Sequence, residues 1–247
     1  MATDHIYDAF CDYIKDITTE RKLDQFKENI NVTYVLEHVD FIKGLEYLIT
    51  IYQKTPVTEQ QIIGYCLLND RVGGGVKYDY GFIKTSPTNF RYILHAHLIL
   101  SHIKNSSLTS TEIVEIGCGY GGLYLALDYF SEIYGVEITN YHLVDLPTIV
   151  ELQRQYLSHY ETKIPQLFHD ACQFGDDITN NGLFLVSNYC FSEISHENQQ
   201  QYIERLFPKV AHGFITWNAI PVFYFGFNIT EETEYPLTGP LNEYIYF

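Results

Sequence analysis

Along the first hundred residues the apolar positions recur every three or four places. Ile6, Phe10, Ile14 and Ile17 form one series and Val35, Val39, Ile42, Leu45 and Leu48 a second, which is the spacing of helices that bury one face. Pro56, with Thr58 set three residues before Gln61, announces a further helix through a capping box. Ser86 followed by Pro87 announces another, running through FRYILHAHLILSHI to about Ile103. Between these two lies NDRVGGGVKYDYGF, Asn69 to Phe82, whose consecutive glycines Gly73, Gly74 and Gly75 predict a mobile loop or a close approach of backbone.

After the polar stretch KNSSLTST the period changes. Short apolar runs now alternate with helical ones: Ile113 to Ile116 and then GGLYLALDYF, Tyr141 to Leu146 and then PTIVELQRQYL, with Pro147 at the start of its helix. IPQLFHDA, LFLVSNYC and GFITWN supply third, fourth and fifth strands, and SHENQQQYIERLF a helix before the last of them. Strands alternating with helices build a parallel sheet covered on both faces. The closing VFYFGFNITEETEYPLTGPLNEYIYF has no room for a full helix and predicts two strands joined by a Pro/Gly turn. The expected fold is α/β: a mostly parallel sheet with helices on both faces and an antiparallel C-terminal strand pair over residues 106–247, preceded by a helical cap or substrate region over residues 1–105.

Charge narrows the partners. With 31 acidic and 15 basic side chains the chain carries a net charge of -16, which repels a phosphate backbone and anionic lipid and argues against nucleic acid as a partner. No uncharged apolar run approaches the roughly 20 residues of a membrane span, and the opening MATDHIYDAFCDYIKD has acids within its apolar pattern. Five cysteines, Cys11, Cys66, Cys118, Cys172 and Cys190, are odd in number and include no CxxC pair. They fit reduced thiols in the cytoplasm better than a disulfide frame or a zinc site. A homodimer is left open.

The chemistry centres on IVEIGCGYGG, Ile113 to Gly122, which satisfies two fingerprints at once. Gly117, Gly119 and Gly122 spell the dinucleotide pattern that rests a pyrophosphate on a helix N-terminus. Glu115, Gly117, Gly119 and Gly121 spell a loop suited to S-adenosylmethionine. A carboxylate at Glu115 is a like charge to a pyrophosphate, whereas the sulfonium and ammonium of S-adenosylmethionine are attracted to it. The next strand ends in Asp145, placed to accept both ribose hydroxyls; Glu137, nearer in sequence, is the rival. Only three residues separate Glu137-Ile138 from YHLVDL, too few for a crossover, so YGVEI and YHLVDL are not both expected to be parallel strands, and Asp145, whose segment is followed by a good helix, is favoured. The third strand ends in HDA, where Asp170 can accept from an adenine amino group while the Ala171 N–H donates to a ring nitrogen.

VEIGCGYGGLYLAL, YHLVDLPTIVELQRQYL, VSNYCFSEIS and EYPLTGPLNEYI, with SPTNFRYI and CLLNDRVGGG upstream, resemble the sugar O-methyltransferases, a branch of the Rossmann-like S-adenosylmethionine-dependent methyltransferases, over roughly residues 30 to 247. The resemblance implies a Rossmann-like domain in which Glu115, Gly117, Gly119, Gly121, Asp145, Asp170 and Ala171 line the cofactor, and in which Ser86, Thr88 and Arg91 close over its carboxylate. It also implies a sugar, free, nucleotide-linked or glycan-borne, as the methyl acceptor. The chain departs from the general plan in lacking a helix between its fifth and sixth strands.

Transfer of a methyl group to oxygen needs an aligned acceptor and a base for its proton. SNYCFSEISHE places Asn188, Tyr189, Ser192, Glu193 and His196 after the fourth strand, where open α/β sheets form their crevice. Glu193 is the first candidate for the base, with His196 and His169 as alternatives; Glu193 as a helix cap is the competing reading. A divalent ion polarising the acceptor hydroxyl stays open without a ligand motif to mark it. Glu37 and His38 fall within a helical repeat, Tyr78, Tyr80 and Trp217 offer faces for stacking, and Lys77 and Arg71 flank the glycine triplet as anchors for a diphosphate. The readings that compete with methyl transfer are an NAD(P)-dependent oxidoreductase and a cofactor-binding interaction subunit.

Overall fold

A computed structural model describes residues 2–108 and 110–247, with side chains from residue 5 onward. Contacts group the chain into two compact units that interleave in sequence. The first takes in the chain up to Leu98, Gly119–Phe130 and Glu151–Glu161; the second takes in Ile99–Cys118, Ser131–Val150 and Thr162–Phe247. The sequence boundary at residue 105 is a single cut, whereas these units are discontinuous.

The first unit opens with four helices: α1 (Ala2–Glu20), α2 (Ile30–Val35), α3 (Phe41–Lys54) and α4 (Glu59–Asn69). The apolar series from Val35 to Leu48, expected as one helix, is interrupted after Val35. Asp40 begins a new helix by accepting the Lys43 N–H over 2.8 Å. Thr58 and Gln61 form the expected capping box of α4. A two-residue antiparallel pair, β1 (Tyr78–Asp79) and β2 (Lys84–Thr85), leads into α5 (Thr88–Asn105). Ser86 Oγ accepts the Thr88 N–H over 3.3 Å, so the expected cap is present and the helix starts one residue after Pro87.

The interior of this unit holds a lysine. Lys27 is 1% exposed, donates to Asn69 O over 2.8 Å and to Tyr156 Oη over 2.9 Å, and lies 4.4 Å from the Tyr120 ring centre. The glycine triplet packs over it. A Cβ at Gly73 would fall 2.4 Å from the Phe26 ring, and Gly73 O accepts the Lys27 N–H over 2.9 Å. Of the two expectations for these glycines, close backbone approach is the one observed.

The second unit carries the sheet. Its strands are β3 (Ser110–Ile116), β4 (Glu137–Asp145), β5 (Gln166–Asp170), β6 (Leu183–Asn188), β7 (Val210–Trp217), β8 (Thr230–Thr233) and β9 (Glu243–Tyr246), in the order β5-β4-β3-β6-β7-β9-β8. All neighbours are parallel except β9, which is antiparallel to both β7 and β8. The first five follow the 3-2-1-4-5 order of doubly wound sheets. The remaining edge differs from a dinucleotide sheet: the chain passes from β7 to β8 and returns as β9, reversed, between them. The helices α6 (Gly122–Tyr134) and α7 (Pro147–Leu157) join successive parallel strands, and α8 (His196–Arg205) joins β6 to β7.

One strand expectation is corrected. Glu137 and Asp145 belong to a single strand of nine residues, β4, which stays beside β3 through a register shift at Thr111/Glu112. Both halves pair with β3 as one strand, so no crossover lies between them, and the extra residue Thr139 forms a bulge within β4. On one face of the sheet Val114, Ile116, Val144, Leu185 and Ile215 pack with Tyr202 and Leu206 around α8. On the other, His102 in the last turns of α5 meets Phe184 and Tyr246 edge-on. Trp217 is fully buried, stacked on Phe225 and donating to Ile220 O over 2.7 Å, so it presents no face to a ligand. Among the described residues no helix is long and apolar enough to cross a membrane.

Candidate active site

The parallel strands end at one edge, and the polar residues expected there share it. Asp145, Asp170 and Asn188 are the last residues of β4, β5 and β6, and Asp145 stands opposite Asp170 in register. Glu115 is the penultimate residue of β3, opposite Leu143. The chain winds outward from β3 through β4 to β5 and then returns to the far side of β3 as β6, so this edge contains the topological switch at which open sheets form their crevice.

Glu115 is 2% exposed, and Oε2 accepts from Tyr141 Oη over 2.8 Å. Burial pushes its carboxyl up to about 8; the Tyr141 hydroxyl opposes the rise and the neighbouring Asp145 adds to it. Such a group takes a proton unless a positive charge comes beside it. Asp145 accepts the Leu146 N–H over 2.9 Å, which orients its carboxylate at the start of α7. Asp170 Oδ1 accepts the Cys172 N–H over 2.8 Å, capping a single 3-10 turn that begins at Ala171. Asn188 Oδ1 accepts from Thr216 Oγ1 over 2.6 Å, while its buried Nδ2 has no hydrogen-bond partner. A ligand that brings an acceptor to the switch point would satisfy this donor.

The glycine loop divides into two kinds of position. Gly117, Gly119 and Gly121 all have positive φ, at 77°, 54° and 94°, which explains glycine at each. At Gly117 a Cβ would lie 2.3 Å from Cys190 Sγ, so the bare backbone also lets the segments after β3 and β6 approach. Gly122 has no positive φ; its Cβ would fall 2.4 Å from the Tyr92 ring. That glycine is explained by packing, the part the third glycine of a dinucleotide loop also plays, so Gly122 does not decide between the two spellings.

The three candidates for a base sit in different surroundings. Asn218 Nδ2 donates to Glu193 Oε1, and Asn218 is held in turn by Ser192, whose Oγ donates to its Oδ1 over 2.6 Å and accepts its N–H over 3.0 Å. Glu193 as a residue is exposed, yet the carboxyl loses enough water among its neighbours to be pushed above the usual carboxylate range, with Asn218 opposing. It does not cap α8: Ser195 does, accepting the Asn198 N–H over 3.3 Å, so the competing reading of Glu193 as a cap is corrected. His196 is exposed on the first turn of α8, with its ring 6.4 Å from that of Phe223. His169 has both ring nitrogens occupied, by Asp177 Oδ2 at 2.6 Å and His142 Nδ1 at 2.9 Å. It belongs to a polar chain that continues from His142 Nε2 to Glu112 Oε2 over 3.2 Å. As the neighbour of Asp170 along β5, it projects to the other face of the sheet.

The residues assigned to the cofactor carboxylate lie within or next to α5. Ser86 Oγ donates to Glu37 Oε2 over 2.7 Å, and Glu37 Oε1 accepts from Tyr120 Oη over 2.6 Å. Arg91 Nη2 donates to Leu36 O over 2.9 Å, and Nη1 lies 2.9 Å from His38 Nε2. Burial and that guanidinium depress His38 to about 3, so it accepts the bond as a neutral ring. Glu37 and His38, expected inside a helix, stand in the break between α2 and α3. Thr88 is fully buried and its Oγ1 has no hydrogen-bond partner.

Asn218 escaped the sequence reading. It directly follows β7, and the strand-end rule that found Asp145 and Asp170 reaches it when applied to GFITWN. Among the described residues no group of three or more His, Cys, Asp or Glu is arranged to hold a metal ion.

No family model and no curated protein matches this sequence. Solved structures are similar in fold. The methyltransferase domain of bacterial CtHen1-CN is 12% identical, with a TM-score of 0.44, over 62% of this chain and 96% of that one. The mitomycin 7-O-methyltransferase MmcR is 12% identical, with a TM-score of 0.39, over 65% and 56% of the two chains. PigF with SAH is 14% identical, with a TM-score of 0.40, over 55% and 49%. The chain thus spans about half the length of MmcR and of PigF. At these identities and superposition scores, what the chain can bind rests on its own residues.

Proposed function

We propose that this chain is an S-adenosylmethionine-dependent methyltransferase whose acceptor is a hydroxyl, and that the hydroxyl belongs to a sugar. The observation that carries the reading is a row of acids, Glu115, Asp145 and Asp170, at the ends of three adjacent parallel strands, beside a glycine loop. That donor set suits a cationic ligand with a ribose and an adenine and suits a pyrophosphate poorly. The orphaned Asn188 Nδ2 and the bare backbone at Gly117 fit a ligand that approaches the switch point closely.

When bound, the cofactor would supply a methyl group on a positively charged sulfur. Asp145 accepts the ribose hydroxyls, and Asp170 with the Ala171 N–H reads the adenine edge. Glu115 gives up its proton as the ligand's positive charge arrives. Glu193, held by Asn218, would take the proton from the acceptor oxygen as the methyl carbon bonds to that oxygen and its bond to sulfur breaks, leaving S-adenosylhomocysteine; burial raises its affinity for protons, which makes it a stronger base than an ordinary carboxylate. The sugar as acceptor is supported by the likeness of SNYCFSEIS and EYPLTGPLNEYI to the sugar branch. Calorimetric titration with S-adenosylhomocysteine tests the cofactor: binding is expected. Stabilisation by NAD or NADP with no response to S-adenosylhomocysteine would reassign the loop. Incubation with a panel of nucleotide sugars, read by mass spectrometry for a gain of one methyl group, tests the acceptor.

A further inference from the structure

We propose that a cleft of about 890 Å³ in the first compact unit is a second binding site, one for a small molecule bearing a diphosphate. None of the residues assigned above to the cofactor or to proton transfer lines it. Its walls carry Arg21, Arg71 and Arg154, three of the chain's five arginines, with Asp24 as the one acid among the lining residues. In a chain of net charge -16 this is a concentration of positive charge against the prevailing field.

The three guanidinium groups arrive from separate segments. Arg21 directly follows α1, where the Lys22 N–H bonds back to Ile17 O over 2.9 Å. Its backbone sits at φ 53°, in the left-handed region that favours glycine at this place after a helix. Gln25, on the same wall, is left-handed too, at φ 56°. Keeping long side chains at such positions costs backbone energy, and strain of this kind gathers at binding sites. Arg71 lies two residues past the end of α4, 4.8 Å from the Tyr160 ring centre, and donates to His159 O, so its planar group is fixed before any ligand arrives. Arg154 and Ser158 are one helical turn apart at the end of α7. Lys77, the other cation beside the glycine triplet, turns instead to Asp70, 3.8 Å from its Oδ2.

Guanidinium forks match phosphate oxygens in pairs of hydrogen bonds. Three of them, spread around a space within the range of small-molecule sites, exceed what a single phosphate would fill and suit a diphosphate with an organic body. A long polyanion is disfavoured, because the acidic surface beyond the cleft would repel it. The assignment stands whether or not the chain transfers methyl groups.

The test is calorimetric titration of the full chain with inorganic pyrophosphate and with uridine diphosphate at constant low ionic strength. Both are expected to bind. Arg21→Gln and Arg154→Gln should each weaken binding about tenfold and together about a hundredfold, the scale of charge-assisted hydrogen bonds that add. Both side chains are exposed, so the variants should keep the parent's melting temperature. Arg205→Gln, whose side chain pairs with Asp176 and does not line the cleft, should leave binding unchanged. Failure of both probes to bind, or equal weakening by Arg205→Gln, would overturn the proposal.

Discussion

Tyr141 in the middle of β4 donates its hydroxyl to the buried Glu115 carboxyl near the end of β3, over 2.8 Å. A hydroxyl supports a buried carboxyl without neutralising it, which leaves Glu115 pushed up to about 8 from an ordinary value of 4.5. Between those values the folded chain holds a proton there that the unfolded chain releases. Stability should therefore fall as pH rises through that window, with a slope from this group approaching about 1.4 kcal/mol per pH unit. Urea denaturation from pH 5 to 8 should show this fall, and Glu115→Gln should flatten it. A parallel slope in the variant would mean that Glu115 is ionised in the apo protein.

The same carboxyl should report the cofactor's charge. Binding of S-adenosylmethionine at pH 7 should release up to one proton as Glu115 ionises beside the ligand's positive groups. Calorimetry in phosphate and in Tris, whose ionisation enthalpies differ, should give different apparent binding enthalpies for the parent. Glu115→Gln should remove most of the difference.

Asp145 and Glu137 end and begin one strand, so eight steps of about 3.3 Å place them roughly 26 Å apart. Asp145→Ala should weaken S-adenosylhomocysteine binding by about 1.5 to 3 kcal/mol, the scale of hydrogen bonds to a charged acceptor, and Glu137→Ala should leave it unchanged. Competition binding on the two purified variants decides between them. The reverse ranking would place the ribose at the wrong end of the sheet for this reading.

Glu193 should separate chemistry from binding. Glu193→Gln is expected to abolish methyl transfer while leaving S-adenosylhomocysteine affinity within about twofold of the parent, since a base acts on the acceptor's proton. The Asn218 amide lowers the carboxyl's proton affinity by donating to it. Asn218→Ala should therefore shift the acidic limb of the kcat/KM profile to higher pH. An unmoved limb would point to a different base.

Lys27 offers a test of the first unit's interior. Burial depresses its ammonium to about 8, so the unfolded chain binds the extra proton between about 8 and 10.5, and stability gains from this group as pH rises through that range. Lys27→Met keeps much of the volume but strips donors from Asn69 O and Tyr156 Oη, at a cost of about 1 to 3 kcal/mol. Chemical denaturation at pH 7 and 9.5 should show the gap between parent and variant widening at the higher pH.

The sequence by itself determined the succession of elements in the sheet-bearing part and the ends of its strands. Apolar runs bounded by Asp145, Asp170 and Asn188 are local signals, because strand propensity, helix starts at Pro147 and caps such as Thr58 act within a few residues. Tertiary structure decided everything that depends on approach between distant segments. It bulged β4 at Thr139, opposite Thr111/Glu112, so that β4 runs as one strand, reversed β9 between β7 and β8, and broke the Val35–Leu48 series at Asp40. It turned both nitrogens of His169 to Asp177 and His142, buried Trp217, and gave Glu193 its partner in Asn218. It also brought three arginines from positions 21, 71 and 154 to one cleft. None of these is written in a short window, because a side chain's partner and its loss of water are set by which remote backbone packs beside it, and only the folded chain fixes that.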